Sequence, residues 1–307
     1  MGDLPALLLT FFNCILKYFM NIIKILTILT VCTLKSPLLA TPQDPPARIV
    51  STSLASDEIL MELLQGQERS RITAISSRAD EPRESFVAEM AKAIKNRVAA
   101  DPESVAALHP DLIIAASFNR PNFLAQVHKM GAKVLLLEHF DRLADIAANI
   151  RSIGAAIQRV EQAERLAKKM EESIARVAEA TARVPAIKRP TVTIFSGPLQ
   201  VMAKETLANE MVEVAGGINT ATQAGLRQWP QVSPEALRRW NPRFVIMGAF
   251  SKDQDAIYRQ LKSLPGWNKL AAVMTGRVLT IDPRALGSTS FHVVDAIRDI
   301  HSGLYPR

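Results

Sequence analysis

The sequence predicts an α/β protein of two similar parallel-sheet lobes joined by one long helix, with a cleft between the lobes. Three observations predict it. One stretch is used twice: residues 102–118 read PESVAALHPDLIIAASF and residues 234–250 read PEALRRWNPRFVIMGAF. Pro-Glu, a second Pro, an apolar run and a Phe recur at one constant offset. Each copy has the pattern of a short helix opened by Pro in its first turn, stopped before the second Pro, and followed by a buried strand. The separation of the copies far exceeds the roughly 20 to 50 residues of a solenoid period. On either side of the centre, strand and helix patterns alternate, as in a parallel sheet covered on both faces. Between them, residues 141–184 carry helical periodicity and no strand.

In order, Arg48 to Ser51 is a strand, Ser56-Asp57-Glu58 caps a helix to about Leu64, and Gly66 ends it. Arg71 to Ser76 is a second strand, followed by a polar loop, Ser76 to Pro82, at its carboxyl end. A helix is expected from Pro82 to Ile94, then the first copy of the repeat, a helix from Pro121 to Met130, and the strand Lys133 to Leu137. Asp141 begins a helix to about Ile157, and Val160 another to about Arg183. On the latter, Val160, Ala163, Leu166, Met170, Ile174, Val177 and Thr181 make one mostly apolar stripe. About 24 residues at 1.5 Å each extend about 36 Å, the scale of a small lobe, which favours packing along the domain over a coiled-coil partner surface. Thr191 to Phe195 is the next strand, Ser196-Gly197-Pro198 turns, and Thr206 to Val214 is helical. Gly216-Gly217 follows this helix instead of opening one, so it reads as a C-cap turn and not a phosphate loop. After the second repeat copy come a helix from Asp253 to Leu261, the strand Arg277 to Asp282 and a closing helix from Ser290 to Ile300.

At 307 residues with 48% hydrophobic content, the chain has ample material for a packed core. The formal charge of +7 is spread along the sequence, and aromatic content is 6% without basic-aromatic interleaving, which argues against a nucleic-acid partner. Residues 4–34 are nearly all apolar, with Lys17, Lys24 and Lys35 interspersed, and Ser36 to Ala40 lead into a Pro-rich spacer. This is the pattern of an export signal over residues 1–40, with cleavage after Ala40. Met20 offers a more economical start than Met1. A retained membrane anchor is the alternative, because the whole apolar stretch is long enough to span; a lipid anchor at Cys32 is disfavoured by Val31 before it. Cys14 and Cys32 both lie in this leader, so the mature chain would hold no thiol, excluding a disulfide framework, a thiolate metal site and a cysteine nucleophile. No nucleotide fingerprint, nucleophile elbow or phosphate loop is present, which argues against an enzyme.

The motifs Arg48-Ile49-Val50-Ser51, Asp101-Pro102-Glu103 through Ile114, the long helix, Ala215-Gly216-Gly217-Ile218-Asn219, Trp229-Pro230-Gln231-Val232-Ser233-Pro234-Glu235 and Gly276-Arg277-Val278 follow in that order. As a set over residues 47–305 they resemble the periplasmic substrate-binding proteins of ABC importers for iron chelates and vitamin B12. Trp229 to Ser233 is similar to the corresponding stretch of the B12-binding member. The resemblance implies an N-terminal lobe over 47–140, a linking helical region over 141–184 and a C-terminal lobe over 185–307, after a spacer at 41–46. It further implies a monomer that holds one ligand, an iron chelate or a corrinoid, with little closure, needs no other cofactor, and delivers the ligand to a membrane permease. In that family one Glu on each lobe docks to the permease, and the matching positions are Glu103 and Glu235. Without the resemblance, each is a first-turn carboxylate in a favourable helix dipole, worth about 0.3–1 kcal/mol.

Ligand contacts are expected from loops at strand ends, where open α/β sheets place their crevices. Trp229 is the candidate for stacking on a flat ligand. Phe118 and Phe250 stand at equivalent points beyond the two repeat strands; core packing is the alternative for all three aromatics. Ser53, Ser77, Arg78, Ser117, Asn119, Arg120, Ser196 and Gly197 lie in the same class of loop. Arg78, Arg120, Arg227 and Arg284 are candidate forks for an anionic ferric siderophore, against solvated surface roles. A haem receptor would need an axial Tyr or His, for which the chain beyond the leader offers Tyr258, Tyr305 and His139. A metal-ion receptor is disfavoured, because His109, His128, His139, His292 and His301 lack paired spacing. A sensor using the same cleft stays open.

Overall fold

The computed structural model describes residues 44–99, 101–250, 253–264 and 266–306. The expected export signal and the first half of the spacer lie outside these residues. In the first lobe, strands β1 (Ile49–Ser51), β2 (Ile72–Ser76), β3 (Asn96–Val98), β4 (Leu112–Ala116) and β5 (Lys133–Leu137) form one parallel sheet in the order β3-β2-β1-β4-β5. In the second, β6 (Thr191–Phe195), β7 (Ile218–Asn219), β8 (Phe244–Gly248) and β9 (Val278–Ile281) form a parallel sheet in the order β7-β6-β8-β9. Setting aside the edge strand β3, the two orders are the same, with β1 and β6 beside β4 and β8. The doubled Pro-Glu stretch is thus the same crossover in two sheets: α3 (Pro102–Ala106) leads to β4 and α9 (Pro234–Trp240) to β8. Asp101 and Ser233 cap these helices through their side chains.

Burial follows sheet position. β4 is buried along its whole length, whereas β5 at the edge is only partly covered. Two strands escape the sequence pattern because they are so short. β3 is held by Arg97, whose guanidinium bonds Asp80 and the carbonyls of Ala91 and Ile94. β7 is two residues long. The helix expected from Pro82 to Ile94 contracts to α2 (Ala88–Ala91), preceded by a turn region in which Glu84 and Ser85 bond back to the Glu81 carbonyl. Gly216 has a φ of 90°, the left-handed C-cap expected of it, and the chain passes from there directly into β7 and α8 (Thr220–Gln223).

The remaining helices of the first lobe are α1 (Leu54–Leu63) and α4 (Pro121–Val127). The linking region is a pair, α5 (Leu143–Ala156) and α6 (Val160–Ala182). The face that α6 buries is Ala163, Ala167, Met170, Ser173, Val177 and Thr181, rotated from the apolar stripe so that Val160 is exposed and Leu166 and Ile174 are half-buried. Small residues win because α5 and α6 approach so closely. The second lobe adds α7 (Leu207–Val214), α10 (Gln254–Ser263), α11 (Ala271–Met274), α12 (Pro283–Leu286) and α13 (Val293–Leu304). Residues 45–307 fold as one unit. A single apolar core runs from Ile49 and Leu112 in the first sheet, through Ala163, Met170 and Val177 of α6, to Val192, Ile194 and Ile246 in the second.

Gly154 sets the α5–α6 crossing: a Cβ there would stand 2.1 Å from the Ala163 Cβ and 3.1 Å from the Arg159 carbonyl. Gly154→Ala should therefore destabilise the protein by about 1–3 kcal/mol through overpacking, overriding the gain of about 1 kcal/mol that Ala brings to a free helix. Urea unfolding measures it, and an unchanged or higher midpoint would refute this account of the crossing.

Candidate functional site

In both sheets the strand order reverses next to the central strand, between β1 and β4 and between β6 and β8, and ligand crevices form beyond the carboxyl ends of strands at such points. Three bays open there. The first, of about 520 Å³, is lined by the loops after β1, β2 and β4, by Arg78 and Arg83, and by Pro283, Arg284 and Gly287 to Thr289. The second, of about 380 Å³, lies among Phe118, Phe140, Met202, Met211, Trp229 and Leu286. The third, of about 390 Å³, is bounded by Ser196, Gly197, Met247, Trp267 and Leu286. Phe118 and Gly287 to Thr289 belong to both the first and the second, and Met202, Leu286 and Gly287 to both the second and the third. The bays thus form one cleft over α12 and the turn after it.

Most of the polar loop residues are occupied in building the cleft. Asn119 accepts from the Ala116 amide at 2.8 Å and from the Thr52 hydroxyl at 2.9 Å, tying the ends of β1 and β4 together. Ser53 caps α1 and shares a hydrogen bond of 2.6 Å with Ser56. Ser117 donates to the Glu138 carbonyl at 2.8 Å, and Ser196 donates to Gln200 Oε1 at 3.0 Å. Ser77 is exposed on the wall of the first bay, where Arg78 pairs with Glu84 at 2.7 Å. Of the other arginines, Arg284 lines the bay but is held by Asp282 at 2.6 Å and lies over the Phe86 ring at 4.5 Å. Arg227 is engaged by Glu205, and Arg120 stands outside the linings of all three bays.

Among the described residues, three large aromatic side chains beyond the sheets are exposed, two of them in the cleft. Phe118 is 58% exposed, Trp229 48% and Phe250 49%, values that rule out the core-packing alternative for each. Phe118 leans on Phe140 with ring centroids 5.0 Å apart. Phe250, outside the three linings, carries Arg83 of the other lobe 6.0 Å from its ring centre. Arg83 has no carboxylate within ion-pair distance among the described residues, and the sequence reading passed over it. Only its place in a loop at the end of β2 pointed to it.

Beneath the first bay lie two adjacent buried carboxylates, Asp57 and Glu58. Asp57 accepts from the Ser76 amide at 3.2 Å and from its hydroxyl at 2.5 Å, fixing α1 to the end of β2. Burial pushes its carboxyl up to about 7, against the lowering pull of its Ser51 and Ser76 hydrogen bonds. Glu58 crosses between lobes, accepting from the Ser290 hydroxyl at 2.5 Å and from the Phe86 amide at 3.2 Å. Burial raises it too, opposed by Ser290, His292, Phe86 and Arg284. Phe86 in turn stacks on His292 with centroids 3.9 Å apart.

The haem candidates lie elsewhere: the Tyr258 phenol donates to the Gly276 carbonyl and the Tyr305 phenol to that of Gly216. Glu138 and Phe140 line the second bay, but His139 between them does not. Among the described residues no group of three or more His, Cys, Asp and Glu is arranged to hold a metal ion. Glu103 and Glu235 are both exposed in the first turns of α3 and α9, and Glu235 stands 3.4 Å from Arg238. Since α3 begins just beyond the carboxyl end of β3 and the chain folds back before β4, Glu103 and Phe118 lie at the same edge of the sheet.

With this geometry in place, the comparisons with known proteins agree. A model of the periplasmic binding protein family matches residues 49–285. A vitamin B12-binding protein of Pectobacterium atrosepticum is 27% identical over 211 residues, which are 67% of this chain and 73% of that one. A periplasmic heme-binding protein from Pseudomonas aeruginosa superposes with a TM-score of 0.68 at 25% identity, covering 85% of this chain and 93% of that one. The periplasmic vitamin B12 binding protein of Vibrio cholerae superposes with a TM-score of 0.66 at 20% identity, over 85% and 97%, and shows the fold.

The buried carboxylates make a pH prediction. Both are raised above their unfolded values, so the native state keeps protons that the unfolded chain has lost and stability falls as pH rises, for Asp57 between about 4 and about 7. At about 1.4 kcal/mol per unit, Asp57 contributes a loss on the order of a few kcal/mol. Asp57→Asn should flatten that decline in thermal midpoints measured between pH 4.5 and 7.5; an unchanged slope would remove Asp57 as its source.

Proposed function

This chain belongs to the periplasmic binding protein family, and we propose that within it the cleft captures a corrinoid, or failing that a ferric siderophore, for an ABC importer. Membership makes it a substrate-binding receptor, implies a permease partner and a periplasmic location, and gives no reason to expect turnover. Export by a leader cleaved after Ala40 is part of the same proposal. The observation that carries the ligand class is the pair of exposed aromatics that line the second bay from opposite lobes, Phe118 and Trp229, with Phe250 exposed outside the linings. A flat, bulky chelate offers such rings large contact area. A corrinoid brings its own axial and equatorial ligands, which suits a cleft lined by neither Tyr258 nor Tyr305, whose phenols donate elsewhere. The siderophore reading is favoured by one feature, the guanidinium groups of Arg78 and Arg83 in the first bay.

Titrating intrinsic Trp fluorescence with cyanocobalamin, ferric siderophores and haem tests the ligand. One chelate should quench wild-type emission and raise the thermal midpoint, and Trp229→Ala should weaken its binding about tenfold, the scale of an aromatic contact plus its buried area. Silence with the whole panel would sink the ligand class.

Docking is proposed for Glu103 and Glu235, whose exposure at capped helix starts supports it. Glu103→Ala and Glu235→Ala should each reduce ligand uptake through the cognate permease while leaving the dissociation constant of the purified protein unchanged. Undiminished uptake by the double variant would leave them only the helix-dipole role.

A further inference from the structure

Resting on the reading of Trp229 as a ligand-stacking residue, we infer that Glu205 and Arg227 are positioning residues, a clasp that fixes Trp229 in the cleft. Trp229 does not sit on a regular sheet. It sits on a ribbon in which residues 228–232 run back along 199–204. The Ala203 amide donates to the Gln228 carbonyl at 2.9 Å, the Gln228 amide to Lys204 at 2.8 Å, the Val201 amide to Pro230 at 3.1 Å, and the Val232 amide to Leu199 at 2.9 Å. The Trp229 carbonyl is taken by Gln200 Nε2 at 3.2 Å. Backbone on both sides of the indole is therefore committed, and the side chain is what remains to face the second bay.

The ribbon is closed at one end by strain. Glu205 has a φ of 66° and Gln228 a φ of 58°, left-handed values that non-glycine residues hold only where their surroundings over-determine them. The Arg227 guanidinium forks onto Glu205, Nε to Oε2 at 2.7 Å and Nη2 to Oε1, pinning the two strained turns against each other. Arg227 lies two residues before Trp229. Glu205 directly precedes Thr206, the cap of α7, and Thr206, Leu207, Ala208 and Met211 line the same bay as Trp229. One ion pair thus fixes the indole relative to a helix start that it meets across the second bay. The pair is exposed, so its effect on overall stability is small, whereas its effect on the angle of the indole is direct. A planar fork is required for this, which Lys does not supply.

The test is a double-mutant cycle on the full-length protein, read by affinity for whichever chelate of the panel binds and by the near-UV circular dichroism and emission anisotropy of Trp229, isolated by difference against Trp229→Phe. Glu205→Gln and Arg227→Lys should each weaken binding about two- to fivefold, the scale of an exposed bidentate pair, and raise the mobility of Trp229. Glu205→Gly relaxes the left-handed turn, so it should match that loss of affinity with an unchanged or higher thermal midpoint. The charge-swapped pair, Glu205→Arg with Arg227→Glu, should recover the spectral signature. In a Trp229→Ala background the clasp variants should cost nothing further. Unaltered Trp229 spectra in Glu205→Gln, or an affinity loss that persists without Trp229, would overturn the inference. If no chelate binds wild type, the ligand reading falls, and the spectra alone still decide whether the clasp sets the indole.

Discussion

The cleft depends on one buried carboxylate that belongs to neither lobe alone. Glu58 starts from α1 in the first lobe and accepts from Ser290 at the entrance to α13 in the second. A charge in that place would be costly without partners, and the surroundings are arranged to supply them. The Phe86 amide donates from the first lobe, while Arg284 and His292 face it from the second and lie against the Phe86 ring. Its neighbour Asp57 performs the same task within the first lobe, joining α1 to the end of β2. Both carboxylates sit under the strand ends where the first bay opens, so the position of the floor and the juxtaposition of the lobes have a common cause.

That anchor is reinforced by a core that does not stop at the lobe boundary. A hinge-closing receptor needs two cores and a strip of weak contact between them. Here the packing is continuous from Leu112 through Met170 to Ile246, and α6 is pressed onto α5 closely enough to need glycine at position 154. Rotating one lobe against the other would open buried apolar surface at about 25 cal/mol per Å² as well as breaking the Glu58 hydrogen bond. Little closure, which the family resemblance implied, is what this packing favours, and it shifts the burden of selectivity onto a cleft whose shape is already set.

Much of this was legible in the sequence wherever a signal was local. The Pro-Glu repeat gave away the two crossovers, since a Pro in the first turn and an apolar run after a second Pro are constraints each segment carries by itself. The central strands β4 and β8 followed. Short elements held by distant partners were not legible: β3 is three residues secured by Arg97 reaching Asp80, and β7 is two residues beside β6. Asp57 and Glu58 were read as first-turn caps, because burial of a carboxylate depends on Ser76 and Ser290, far away in the chain. Helical periodicity located α6 but misplaced its buried face by part of a turn, since a close helix crossing selects for small residues such as Ala167 and Ser173, which hydropathy undervalues. The floor of the cleft, Pro283 to Thr289, had no motif of its own.

The repeat itself ends up serving two unlike lobes. Both copies place a carboxylate and a phenylalanine at the carboxyl edge of their sheet, so the surfaces proposed to meet the permease and the ligand lie on the same side of the sheets. What the copies do not share is what surrounds the phenylalanine. Phe118 has the guanidinium bay beside it, built from loops after β1 and β2, whereas the second lobe shortens β7 to two residues and gives the intervening chain to the ribbon that carries Trp229. A symmetric scaffold thereby yields a polar wall and an aromatic wall. Ligands with a flat apolar face and a polar edge would engage both walls at once.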